Sequence, residues 1–173
     1  MTAQLLLLDL IDSPRDIMDE DARVPAPEAP VEERLLFLQE NMVSFVNQFN
    51  MPVIEVAMVL SKYIRILLDS LQNVAQSNGE VLPLRLTEPW HIEAQDEVPR
   101  IDSFPLEKML GSLDEDRMDI LDTLIRTILN ESQLSFAPAL TLLREWEALV
   151  RAQLANASGP GQLFSPIDMP EGF

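Results

Sequence analysis

The stretch from Pro52 to Gln76 constrains this chain most. It has the length of a long helix and carries apolar side chains around its whole circumference, including Val53, Ile54, Val56, Met58, Val59, Leu60, Tyr63, Ile64, Ile66, Leu67, Leu71 and Val74. Such a helix needs cover on every side, which a globular protein supplies by placing it at the centre of a bundle. Glu55, Lys62, Arg65 and Asp69 interrupt the run, so it falls well short of an unbroken membrane span. Its limits are marked by Asn50 and Pro52 before it and Asn78-Gly79 after it, because glycine takes the left-handed conformation that ends helices at little cost.

Partner helices are legible on both sides. From about Val31 to Phe49, Leu35, Leu38, Met42, Phe45, Val46 and Phe49 recur at three- and four-residue steps, with Pro30 near the first turn and Glu32 and Glu33 where the helix dipole favours acids. Asp114 is placed to start a helix over Glu115 to Asn130, with Met118, Leu121, Leu124, Ile125, Ile128 and Leu129 on one face. Ser135 is expected to cap a last helix, Phe136 to Asn156, lined by Leu140, Leu143, Trp146, Leu149, Val150 and Leu154. A short helix from Ser103-Phe104-Pro105 to about Leu110 precedes Gly111-Ser112. Between Glu80 and Asp102, Pro83, Pro89 and Pro99 forbid a long helix, and Val81-Leu82, Leu84-Arg85-Leu86 and Trp90-His91-Ile92 read as short strands or a packed loop.

The expected fold is mainly α: an irregular helical bundle around a central buried helix, with a Pro-rich, partly extended insertion and extended N- and C-terminal arms. Residues 1–30 form an apolar arm, Leu5 to Ile11, on an acidic Pro-rich linker; residues 31–157 form the helical domain, with the insertion at 80–102; residues 158–173 form a flexible apolar tail. The run Leu5 to Leu8 lacks a basic leader and a small-residue cleavage site, so it reads as retained and the chain as cytoplasmic. Gln4-Leu5-Leu6-Leu7-Leu8 resembles the short Gln-Leu-x-Leu-Leu/Phe peptide with which bacterial polymerases and repair proteins engage the sliding clamp, a likeness spanning five residues.

Composition then narrows the chemistry. A formal charge of −17 over 173 residues accompanies a hydrophobic fraction of 47%, enough apolar material for a folded core beneath an acidic exterior. That field repels nucleic-acid phosphates and anionic lipid. With no cysteine and a single histidine, the common zinc patterns and thiol nucleophiles cannot be built, and the five glycines fall in neither P-loop nor dinucleotide-binding spacing. His91 lies near Glu88 and Glu93 but has no nucleophile motif nearby and reads as a loop histidine beside Trp90. No cofactor and no metal is expected.

The candidate sites are therefore for partners. Glu115, Asp119 and Asp122 fall on one flank of their helix, four residues short of Arg126 at the last of them. Acids there complement the helix dipole or meet a basic partner, while a cation site is chemically admissible without matching an EF-hand loop. Leu5, Leu6, Leu7, Leu8, Leu163, Phe164 and Phe173 supply apolar contacts at the two ends, since each large side chain left in water forgoes about 1.5–3 kcal/mol of burial. The sequence is read as a non-enzymatic interaction or assembly protein, a structural subunit or assembly chaperone, that binds a protein partner or itself and has no small-molecule substrate. An acidic inhibitor occupying a basic nucleic-acid groove is the second reading, and an enzyme whose carboxylates converge only in three dimensions is the third.

Overall fold

A computed structural model describes residues 23–93, 111–157, 159 and 161–166. Within them the chain is mainly helical: α1 (Val31–Gln48), α2 (Val53–Ser77), the single turn α3 (Leu84–Thr87), α4 (Glu115–Ser132) and α5 (Phe136–Ala155). The expected helix over 103–110 lies outside the described residues, as do most of both expected arms.

The boundaries follow local chemistry. Helix α1 ends where Asn50 enters the left-handed region, α2 where Gly79 does, and Asp114 caps α4 by accepting from the Arg117 amide at 3.0 Å. Two ends are not built as the sequence suggested. Ser135 precedes α5 but its hydroxyl makes no capping bond, because Pro138 occupies the third helical position and has no N–H to offer. Leu84 to Leu86 form a helical turn and not a strand: the Leu86 and Thr87 amides donate to the Pro83 carbonyl, satisfying locally what an isolated strand would leave unpaired. At its C-terminus, α4 turns through Gln133 in the left-handed region, and the buried Arg34 of α1 donates one Nη1 to the carbonyls of Ser132 and Gln133, both at 3.1 Å. A guanidinium there meets the negative end of the helix dipole.

These contacts orient the bundle. Arg34 brings the start of α1 to the end of α4, so α1 and α4 run antiparallel; α4 in turn runs alongside α2 in the same sense, joined near their starts by Glu55 and Arg117 and farther along by Tyr63 and Asp122. Helix α5 is the hub, packing against α1, α2 and α3 and most extensively against α2. One hydrophobic cluster fills the space, centred on Leu38, Phe45, Leu60, Leu121, Ile125, Leu140 and Trp146. The all-round apolar character of α2 does not become all-round burial: Val56, Leu60, Ile64 and Leu67 are covered, whereas Met58 and Ile66 on the outer side are exposed.

The chain after α5 corrects the expectation of a free tail. The Val53 amide donates to the Gln162 carbonyl at 2.8 Å and the Phe164 amide to the Met51 carbonyl at 3.0 Å, an isolated antiparallel bridge between Pro52 and Leu163. Phe164 is thereby buried, its ring 5.4 Å from that of Trp146. Gln153 holds Ser165 by both main-chain groups, donating to its carbonyl and accepting from its amide. Residues 162–166 are thus part of the fold, and Phe164→Ala is expected to cost about 3–5 kcal/mol, as removal of a core phenylalanine does. Urea unfolding followed by Trp fluorescence measures that cost; a change within error of zero would show that the bridge and not the ring holds this segment.

Candidate functional site

The acidic flank of α4 is divided in the folded chain. Glu115 and Asp119 are exposed, with no ion pair to another described residue. Asp122, expected beside them as a partner contact, is instead engaged within the molecule: the Tyr63 hydroxyl donates to its Oδ1 at 2.5 Å and to its carbonyl at 2.9 Å, and the Lys62 ammonium pairs with its Oδ2. Helical spacing alone put these three carboxylates together. Packing of α2 along one side of α4 separates them.

Burial works against ionisation of Asp122, but the hydrogen bonds from Lys62 and Tyr63, with the charges of Lys62 and Arg126, outweigh it and hold the carboxyl below its ordinary value. Burial, then the hydrogen bond and charge of Asp122, push the Tyr63 phenol above its own. The cluster is a neutral phenol clamped on a carboxylate, which locks two helices and leaves neither group poised to exchange a proton near neutrality.

The more deeply buried ionic site went unread in the sequence. Glu55, in the first turn of α2, is fully buried. Arg117 meets its two oxygens with a fork, Nε to Oε2 and Nη2 to Oε1, both at 2.7 Å, and the Asp114 amide donates to Oε1 at 2.9 Å. A further Arg117 nitrogen lies 3.5 Å from the Phe49 carbonyl at the end of α1. The hydrogen bond with Glu55 raises the guanidinium pKa, against the opposing effect of burial. The pair is complete in itself, a junction of three helix ends. Sequence spacing offers no signal for partners 62 residues apart; the only clue was an acid inside an otherwise apolar first turn.

Two more arginines on α5 were equally unmarked. Arg144, buried, donates to the Leu86 carbonyl at 3.0 Å and pairs with Glu147, and Arg151 donates to the Trp90 carbonyl at 2.6 Å. Seven residues apart, they share one side of α5 and pin the segment Leu86 to Trp90 along it. His91, the next residue, is exposed. No group of three His, Cys, Asp or Glu among the described residues is arranged to hold a metal ion.

Of the apolar candidates, Leu5, Leu6, Leu7, Leu8 and Phe173 lie outside the described residues, Phe164 belongs to the core, and Leu163 is half exposed although its neighbours are tied to Met51 and to Val53 at the start of α2. The other exposed apolar side chains are distributed over several elements: Leu36 on α1, Met58, Ile66 and Val74 on α2, Val81 and Leu84 after it, and Phe136 at the start of α5. The start of α1, the end of α4 and therefore the start of α5 meet at one end of the bundle, and α2 runs toward it from the far end. With 25 residues against 18 in α1 and in α4, α2 is longer by about 10 Å. Val74, on the same side of α2 as buried Leu67, is accordingly 59% exposed, and Val81 beyond it almost completely so. No helix among the described residues is long and apolar enough to cross a membrane.

Two measurements check the ionic sites. Arg117→Met strands a buried carboxylate and is expected to destabilise by about 3–5 kcal/mol in urea unfolding; Glu55→Gln is expected to cost less, because Gln still accepts from the Asp114 amide and the partly exposed Arg117 reaches water. Equal costs would mean that the pair acts only through packing. For Asp122 the folded value is lowered, so its stabilisation is fully present above the unfolded value of about 4 and is lost as pH falls through the folded one. The stability gap between wild type and Asp122→Asn should therefore narrow on acidification. Tyr63, the only tyrosine, should show no phenolate absorbance in the native protein at a pH where the urea-unfolded chain is half ionised; coincident titrations would contradict the clamp. Comparison with protein-family models, curated proteins and solved structures returns no match to this chain.

Proposed function

We propose that this chain is a protein–protein interaction or assembly module, working without catalysis in the cytoplasm. The observation that supports the reading is the set of large apolar side chains left in water, Leu36, Val74, Val81, Leu84 and Phe136 among them, although the bundle has a closed core. Single exposed apolar side chains are ordinary; Val81 at 94% and Leu84 at 69% exposure, three residues apart, are what favours a contact surface here. Over that surface the chain's charge of −17 favours rapid encounter with a basic partner, while apolar contacts supply affinity.

The apolar sequence ends belong to the same proposal in amended form. Leu5 to Leu8 remain candidate contacts, whereas the C-terminal candidate contacts reduce to Leu163 and Phe173, since Phe164 is consumed by the core. A truncation that tests the tail must therefore end after Pro166, not before Gly159.

The test compares the full chain with Val81→Asp/Leu84→Asp, with a chain lacking residues 1–22 and with one ending at Pro166, by light scattering at low and high salt and by affinity retention of cellular proteins. The expected result is a stoichiometric complex, with a second copy or a retained protein, that the double substitution disrupts while circular dichroism stays unchanged. Monomeric mass under every condition, together with retained proteins indifferent to all the changes, would overturn the reading.

A further inference from the structure

Along α5, on the side where Arg151 holds the Trp90 carbonyl, runs an open groove of about 660 Å³. Helix α5 contributes Ala148, Leu149 and Ala152, the segment that Arg151 pins contributes Trp90, and Ile92 and Pro166 complete the apolar lining. Gln39 of α1 and Gln153 add amide groups, and Glu93 and Glu145, both exposed, add carboxylates. None of the described residues lining it is basic, and neither Glu93 nor Glu145 is in an ion pair with another described residue.

The groove is pre-formed. Each side is held from within the molecule: the Trp90 carbonyl by Arg151, the Trp90 indole N–H by the Arg85 carbonyl, the Arg85 guanidinium over the Trp90 ring at 4.6 Å, and Ser165, next to Pro166, by the nitrogen and the oxygen of the Gln153 side-chain amide. A site already ordered before binding loses little conformational entropy when filled. Its volume is in the range that accepts a small ligand or a few peptide side chains, and its lining mixes apolar side chains with the two amides and two carboxylates.

We infer that this groove binds a short peptide segment of a partner protein that carries an apolar side chain flanked by lysine or arginine. The apolar side chain takes the space between Trp90, Ile92 and Leu149, and the flanking cations meet Glu93 and Glu145. Charge complementarity decides the occupant: Asp168 and Glu171 make the chain's own last residues a poor match for two carboxylates that are in no ion pair with another described residue, and the same repulsion acts against another acidic copy. The inference rests on the reading of this chain as an interaction module and gives the partner's chemistry.

The probe is a random heptapeptide library displayed on phage and selected on the full chain, followed by fluorescence-polarisation titration of the enriched synthetic peptides. Enrichment of Leu, Ile or Phe beside Lys or Arg is expected, with affinity that falls as salt rises. Glu93→Gln/Glu145→Gln should weaken binding by about ten-fold or more, and Ala148→Trp, which fills the groove, should abolish it. Enriched peptides without basic residues, or peptides that bind Ala148→Trp as they bind wild type, would overturn the inference, as would the absence of enrichment. Binding that emerges only in a chain ending at Pro166 would identify the chain's own tail as the occupant and overturn it equally. Because Val81→Asp/Leu84→Asp leaves the groove untouched, loss of assembly in that variant alongside a failed selection would sink the groove and leave the interaction reading standing.

Discussion

The arrangement of this bundle depends on one carboxylate. Glu55 is fully buried at the start of α2, and its two oxygens are met by the Arg117 fork and the Asp114 amide, while Arg117 also approaches the carbonyl that ends α1. A buried ion pair contributes modestly to net stability because desolvation offsets much of the attraction. Its stronger effect is on alternatives. Sliding α4 along α2 by a turn would leave the carboxylate in an apolar interior without donors, so the pair penalises misregistered packing more than it rewards the native one. The same start-to-start alignment carries Asp122 to Tyr63 farther along, which then fixes the second point of the α2–α4 contact.

Arginine does similar work elsewhere, and this gives the fold its character. Arg34 closes the end of α4, Arg144 and Arg151 hold the returning segment on α5, and in all three cases the acceptor is a main-chain carbonyl. Arg144 also pairs with Glu147, but each of the three satisfies a carbonyl at a helix end or in the short-turn segment after α2, where no regular ladder continues. Guanidinium suits the task because its planar, multiply donating head keeps its charge when partly buried. The irregular segment around Trp90 is thus ordered without secondary structure, which turns a proline-rich connection into one side of a groove.

The four long helices, and with them the bundle, were legible in the sequence because apolar periodicity and end signals are local. Asn78-Gly79 and Asp114 mark ends that the structure places within a residue or two. What escaped was non-local or depended on a competing local term. Glu55 looked like an interruption in an apolar helix, and Arg117 like an ordinary surface arginine, because their meeting depends on the α2–α4 register. Asp122 was grouped with Glu115 and Asp119 by helical angle, which takes no account of the neighbouring helix. Ser135 carried the right side chain for a cap but faced a proline where the donor should be. Phe164 followed glycines and a proline that promised disorder, yet a ring of that size found cover against Trp146, and two backbone hydrogen bonds were enough to bring it there.

That last case bears on how the ends of such a chain divide between stability and recognition. An apolar residue near an end contributes to the fold if a cavity of its shape lies within reach of its tether, and to binding if none does. Phe164 stands nine residues beyond the end of α5, close enough for a return to Trp146, and its neighbour Leu163 alternates outward as residues in extended backbone do. Alternation therefore splits one short apolar motif into a buried anchor and an exposed contact. On the proposed reading, recognition falls where covered and uncovered apolar groups adjoin: at Leu163 beside Phe164, at Val74 beyond Leu67, and along the groove beside the segment that Arg151 pins.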